Sequence, residues 1–270
     1  MQPSVLNAAP MTTDAVPYLT NFQPTRGLEI AADAPHIGVL ALQGAFVEHI
    51  NALGQLGVRV SEVRQIAHLT DDLDGLVIPG GESTTMAIVA RTLDLVEPLQ
   101  EFVRSGRPVF GTCAGLIFLS DRATGQKIGG QSLIGGLDVT AHRNFFGSQI
   151  DSAERPVVLA GSIESEHAND GFRHAFIRAP VIIKVGEGVQ VLATLKANAR
   201  EQALLEEQLS KVKDGASSDS TCVIIGVQQG NILATSFHPE LTEDLTWHRH
   251  FVAMVAKHAT SGAKRGSASK

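Results

Sequence analysis

The chain has 270 residues, 43% hydrophobic and 19% charged, the proportions of an ordinary globular protein of one large domain with appendages. No run approaches the roughly 18 apolar residues of a membrane-spanning helix. The net charge of −6, from 28 acids against 22 Lys and Arg with no basic run, argues against a nucleic-acid-binding surface. The two cysteines, Cys113 and Cys222, are too few for a disulfide scaffold and point to a reducing, cytoplasmic compartment.

Residues 1–35 carry Pro3, Pro10, Pro17, Pro24 and Pro35, show no hydrophobic periodicity and lack the basic start and apolar core of a secretory signal. They read as a mobile extension, with a surface-docking arm as the alternative. An ordered domain is predicted over 36–260. Residues 36–42 form a buried strand, Gln43 and Gly44 turn it, and a helix over 46–56 is ended by Gly57. Further strands are predicted over 58–60 and 74–79. The second closes on Gly80, Gly81 and Glu82, and a helix starts at Ser83 or Thr84 as N-cap. A helix over 95–105 leads to the strand 108–110. Short apolar strands alternating with amphipathic helices imply an α/β fold, a mainly parallel sheet with helices on both faces. Ligands in such sheets bind beyond the carboxyl ends of the strands, where the Gln43, Gly80–Gly81 and Cys113 loops should converge.

Beyond Asp121 the pattern changes to short segments near 137–140, 156–159, 174–177 and 189–192, predicted as antiparallel additions. Residues 197–213 read as a charged helix with Leu204, Leu205, Leu209 and Val212 on one face, and 214–220 as a flexible return. The whole of 197–221 is expected to be a surface insertion, a solvated excursion in preference to a partner-docking helix. Closing strands over 222–227 and 232–236 place Cys222 in the core. A last helix over 242–258 carries His248 and His250 on its faces, with no ligand cluster to make them a metal pair. Residues 261–270 read as a disordered tail.

The chemistry centres on Gly111-Thr112-Cys113-Ala114-Gly115, which interrupts an apolar strand and opens a helix. This is the pattern of a nucleophile elbow with Cys in the Ser position. The turn leaves Cys113 at a helix N-terminus, where unpaired N–H groups favour a thiolate. A free Cys is more often a small buried core residue, but a glycine on each side at this spacing favours the elbow. His238, at the end of an apolar strand, is the candidate base, and Glu240 can accept its second ring N–H and fix its tautomer. Alone, that pair would equally suit a turn with a solvated carboxylate. The glycines before Glu82 expose backbone N–H groups, and Gly81 paired with Ala114 makes a candidate oxyanion hole. A phosphate-binding loop would want a Walker Lys, which is missing.

Gly-x-Cys-x-Gly with a late His-Pro-Glu resembles the triad-type (class I) glutamine amidotransferases. Six blocks in order are similar to the glutaminase subunits of pyridoxal 5′-phosphate synthases: LQGA at 42–45, PGGESTTM at 79–86, GTCAGL at 111–116, RNFFG at 143–147, FIRAP at 176–180 and SFHPELT at 236–242. The resemblance implies a flavodoxin-like domain that hydrolyses L-glutamine to glutamate and ammonia through a glutamyl thioester, with no metal and no cofactor. It also implies a hetero-oligomeric complex in which a separate (β/α)₈-barrel synthase subunit receives the ammonia and makes pyridoxal phosphate as product. Carried over by position, Cys113 is the nucleophile, and His238 and Glu240 its relay. Gly81, Glu82, Ser83, Arg143, Ile177 and Arg178 contact glutamine, and Gln43 is coupled to the partner. A free amino acid needs an anion for its ammonium, which suits Glu82, and a cation for its carboxylate, which leaves Arg143 and Arg178 open. An Arg alone would more commonly make a surface ion pair. The competing readings are the glutaminase of another biosynthetic complex, a non-catalytic docking subunit, and a cysteine hydrolase of peptides or esters. The parts outside the blocks, including 162–171 and 197–221, exceed the compact family pattern.

Overall fold

A computed structural model describes residues 30–125, 131–146, 153–161, 163, 173–176, 178–211 and 221–267. In chain order the first half comprises β1 (His36–Leu40), α1 (Phe46–Gln55), β2 (Arg59–Val63), β3 (Gly75–Ile78), α2 (Ser83–Thr92), α3 (Val96–Arg104), β4 (Val109–Thr112), α4 (Ala114–Leu119) and β5 (Ser120–Thr124). Then follow β6 (Leu137–His142), β7 (Ala153–Pro156), β8 (Val158–Leu159), β9 (Arg173–Phe176), β10 (Val181–Val185), β11 (Gln190–Lys196), α5 (Ala199–Lys211), β12 (Cys222–Gln229), β13 (Ile232–Thr235) and α6 (Thr246–Ser267). A 3₁₀ turn, Pro239–Leu241, joins β13 to α6.

β1, β3, β4 and β13 are buried along their whole length, as parallel strands covered on both faces must be. They pair in the order β2-β1-β3-β4-β13, parallel throughout, which is the flavodoxin-like order with the last strand of the chain in the fifth place. Alternation along the strands divides the core into two layers. Ile37, Val39, Val77 and Phe110 face α1 and α6 through Ile50, Leu53, Trp247 and Phe251. Leu76, Ile78 and Val109 face α2, α3 and α4 through Met86, Leu99, Phe102 and Leu116.

The sheet continues β13-β12-β10-β6 antiparallel, with β11 pairing β12 and β8, and β7 with β9 forms a separate hairpin-like pair. The additions are therefore antiparallel as expected, except at the outer edge. There β5, which continues directly from α4, runs parallel to β6.

Three sequence expectations need correction. Cys222 is exposed, because it is the first residue of β12, out at the strand end beyond the buried run from Val223. α5 is docked: Leu205 is buried within the α1/α6-side core, and Glu201, also buried, pairs with Arg155 at 2.5 Å. Its apolar face therefore covers the sheet, which a solvated excursion would leave wet. α6 runs on to Ser267, well past His258, since extending a helix already anchored by packing fixes one residue per added hydrogen bond. Of the proposed extension, 1–29 lies outside the described residues, as do 212–220 of the return and 268–270 of the tail. No described helix is long and apolar enough to cross a membrane.

Candidate active site

The loops that follow β1, β3, β4 and β13 meet at one end of the parallel sheet and carry Gln43, Gly80 to Glu82, Cys113 and His238. β4 ends at Thr112 and α4 begins at Ala114, so one residue makes the whole turn. Cys113 takes φ 48° and ψ −100°, a left-handed conformation that costs a non-glycine residue energy. The turn presses α4 onto β3 so closely that a Cβ at Gly115 would lie 2.0 Å from the Ile78 carbonyl oxygen. The Cys113 N–H donates to the Thr235 carbonyl at 2.8 Å, tying the elbow to the strand that delivers His238.

His238 Nδ1 lies 2.7 Å from Glu240 Oε1, and its ring also hydrogen-bonds with the Cys113 sulfur. All three residues are buried. Burial by itself pushes the His238 pKa down; the Cys113 sulfur and the Glu240 carboxylate outweigh it and hold the pKa well above the usual value. For Glu240, burial pushes upward, but His49 and the hydrogen bond from His238 bring its pKa to about 2. A nucleophile, an imidazole and an orienting carboxylate thus stand in line.

Glu82 is the N-cap of α2, where Ser83 or Thr84 was expected. Its Oε2 accepts from the Thr85 N–H at 2.7 Å and from the Thr85 hydroxyl at 3.0 Å. A longer carboxylate reaches the first-turn N–H groups from this position as well as a hydroxyl would. Its other oxygen lies 3.1 Å from Nη2 of Arg143, a nearly buried guanidinium. Burial would raise the Glu82 pKa, but the backbone N–H groups of Thr85 and Thr84 and the charge of Arg143 lower it. The Glu82 N–H donates to Gln43 Oε1 at 2.9 Å, so Gln43 grips the glycine loop. The Gly80 carbonyl accepts from the Ala45 N–H at 3.3 Å, which directs the Gly81 N–H to the other side of that peptide. Ala114 is the first residue of α4, where N–H groups have no intrahelical acceptor. Ser83 donates to Gln131 at 3.2 Å. Arg178 is exposed with φ 46°, and the Phe176 ring lies 5.7 Å from the Phe237 ring, beside His238. Ile177 lies outside the described residues.

Sequence reasoning missed His49 and Thr112, and left His248 as a helix-face residue. His49 Nε2 stands 3.4 Å from Glu240 Oε2 and 3.1 Å from Thr112 Oγ1, and its Nδ1 is 2.9 Å from His248 Nε2. The available signal was that His49 falls on the apolar face of its helix, with Ile50 and Leu53.

The SNO glutamine amidotransferase family matches residues 39–257. A protein of Arabidopsis thaliana named probable pyridoxal 5′-phosphate synthase subunit PDX2 is 49% identical over 231 residues, covering 86% of this chain and 89% of that one. One of a Parafrankia species, named pyridoxal 5′-phosphate synthase subunit PdxT, is 46% identical over 235 residues, covering 86% and 98%. A crystal structure described as a glutamine amidotransferase superposes with a TM-score of 0.64 at 38% identity, covering 82% of this chain and 98% of its own. The chain belongs to the SNO glutamine amidotransferase family.

Proposed function

We propose that this chain is the glutaminase subunit of a pyridoxal 5′-phosphate synthase, with residues 36–260 as its catalytic domain. The observation that carries the reading is the buried line of Cys113, His238 and Glu240 at the strand ends. The names of relatives at 46% and 49% identity supply the assembly. The Cys113 thiolate attacks the side-chain amide carbon of L-glutamine, and the oxyanion lies against the N–H groups of Gly81 and Ala114. The imidazolium of His238 gives its proton to the leaving nitrogen, the C–N bond breaks and ammonia departs, leaving a thioester. His238 then takes a proton from water as it attacks the thioester, the C–S bond breaks, and glutamate leaves with the thiolate restored.

Arg143, nearly buried and poised on Glu82, is the stronger choice for the substrate carboxylate, with Glu82, Gly81, Ser83, Ile177 and Arg178 completing the pocket. Gln43 couples the glycine loop to a docked partner, which is a (β/α)₈ barrel that takes the ammonia. The chemistry consumes no metal or cofactor, and a nucleophile that must stay a thiol suits the reducing cytoplasm.

The test is ammonia release from L-glutamine by the chain alone and with the synthase subunit. A strong rise on adding the synthase, absent in Cys113→Ala, is expected. Equal rates with and without it would move the chain to another amidotransferase complex, and no release from folded protein in either case would make it a docking subunit.

A further inference from the structure

The carboxylate of Glu240 has two oxygens, and only Oε1 is engaged by His238. Oε2 is buried and accepts no hydrogen bond of normal geometry among the described residues, yet it faces His49 Nε2 at 3.4 Å with both side chains fully inaccessible. A buried carboxylate oxygen left unsatisfied is costly, so its one polar neighbour matters. The tautomer of His49 follows from that contact. With the proton on Nδ1, the Nε2 lone pair would point at the carboxylate. With the proton on Nε2, the ring donates toward Glu240 Oε2 and Thr112 Oγ1, and its Nδ1 accepts from His248 Nε2 at 2.9 Å.

We propose that His49 is a positioning residue for the glutaminase reaction: its Nε2–H holds the free oxygen of Glu240, and His248 holds His49, so that α1 and α6 brace the carboxylate that orients His238. The inference rests on the reading of Cys113, His238 and Glu240 as the reacting line. Three elements converge on this ring: the 3₁₀ turn with Glu240 and the preceding His238, α6 with His248, and β4 with Thr112; Glu48 is the charged neighbour on its own helix. Burial dominates over the pull of Glu240 and lowers the His49 pKa, so the ring stays neutral and acts as a dipole rather than a second cation. Thr112 directly precedes Cys113, so the same ring also ties the elbow to the relay.

Two polar substitutions separate positioning from packing. Gln places its amide N–H where His49 has Nε2, whereas Asn places it where His49 has Nδ1. Both are made in a Cys222→Ser background, so that only Cys113 reacts with iodoacetamide. His49→Asn is expected to cut kcat for ammonia release, with the synthase subunit present, by roughly tenfold or more, the worth of one charge-assisted hydrogen bond. Its KM should change by less than about twofold, because no substrate contact is lost. The rate of Cys113 alkylation at neutral pH should fall with kcat, since a slack Glu240 leaves the imidazolium and its thiolate partner less well held. His49→Gln should restore both. Equal losses in the two variants, tracking their loss of thermal stability, would overturn the proposal, as would a parental alkylation rate in His49→Asn. Alkylation needs no glutamine, so a parent chain that releases no ammonia would sink the glutaminase reading while the alkylation rates still decide the role of His49.

Discussion

Gly80 and His238 are in contact so close that position 80 has no room for a side chain. A Cβ there would stand 2.3 Å from His238 Cε1, 2.8 Å from Nδ1 and 3.2 Å from the Cys113 Cβ. The glycine loop after β3 is therefore one wall of the slot in which the imidazole sits between nucleophile and carboxylate.

Gly80→Ala is accordingly expected to displace the imidazole rather than unfold the domain. The loss in kcat should be about a hundredfold or more, the share that positioned proton transfer supplies. Far-ultraviolet circular dichroism should be unchanged. A Gly80→Ala enzyme with parental ammonia release would show that His238 is not held in this slot during turnover.

The backbone at Cys113 makes a second prediction. At φ 48° and ψ −100° the residue is strained, and the strain resides in any side chain with a Cβ. Both Cys113→Ala and Cys113→Gly should be inactive. Gly should nonetheless be the more stable of the two by about 1 kcal/mol, since relief of strain exceeds the extra entropy of an unfolded glycine. Urea denaturation of the pair decides it, and a more stable Ala variant would mean that the elbow is relaxed.

Arg143 and Glu82 neutralise one another at 3.1 Å in the absence of substrate. Arg143→Ala should raise KM for glutamine at least about tenfold with a smaller change in kcat, the signature of lost binding in ground and transition states alike. Glu82→Ala should add a stability loss of about 1 kcal/mol, because it also uncaps α2. An Arg143→Ala enzyme with unchanged KM would shift the carboxylate contact to Arg178.

Acid should destabilise the domain in two stages. His49, His142 and His250 have pKa values lowered from 6.5, burial being the main cause, so the unfolded chain takes up their protons first and stability declines as pH falls below 6.5. Glu240 has its pKa lowered from 4.5 to about 2; its contribution is complete above 4.5 and is lost as pH falls toward 2. His238 runs the other way, its raised pKa giving stability that is lost as pH rises through the folded value. The gap in stability between parent and Glu240→Gln, from urea midpoints, should be widest near neutrality and close toward pH 2. A constant gap would contradict the ionised, braced carboxylate.

The chain by itself determined the parallel core, the elbow and the His238–Glu240 pair. Each rests on residues adjacent in sequence: buried apolar runs ended by glycine, a Gly-x-Cys-x-Gly turn, a base and its carboxylate two positions apart. Local sterics and periodicity act over such distances, so they are written in the order of residues. Only the tertiary structure decided which residues complete the site. His49 meets His248 across 199 positions, Arg143 meets Glu82 across 61, and α5 finds its seat on the sheet through Leu205 and the Arg155–Glu201 pair. The exposure of Cys222 was equally out of reach, because an apolar run does not say which of its ends stops at the edge of the core. Those contacts are set by how helices lie on the two faces of the sheet, and pattern in a single chain carries the face of an element but not its neighbour.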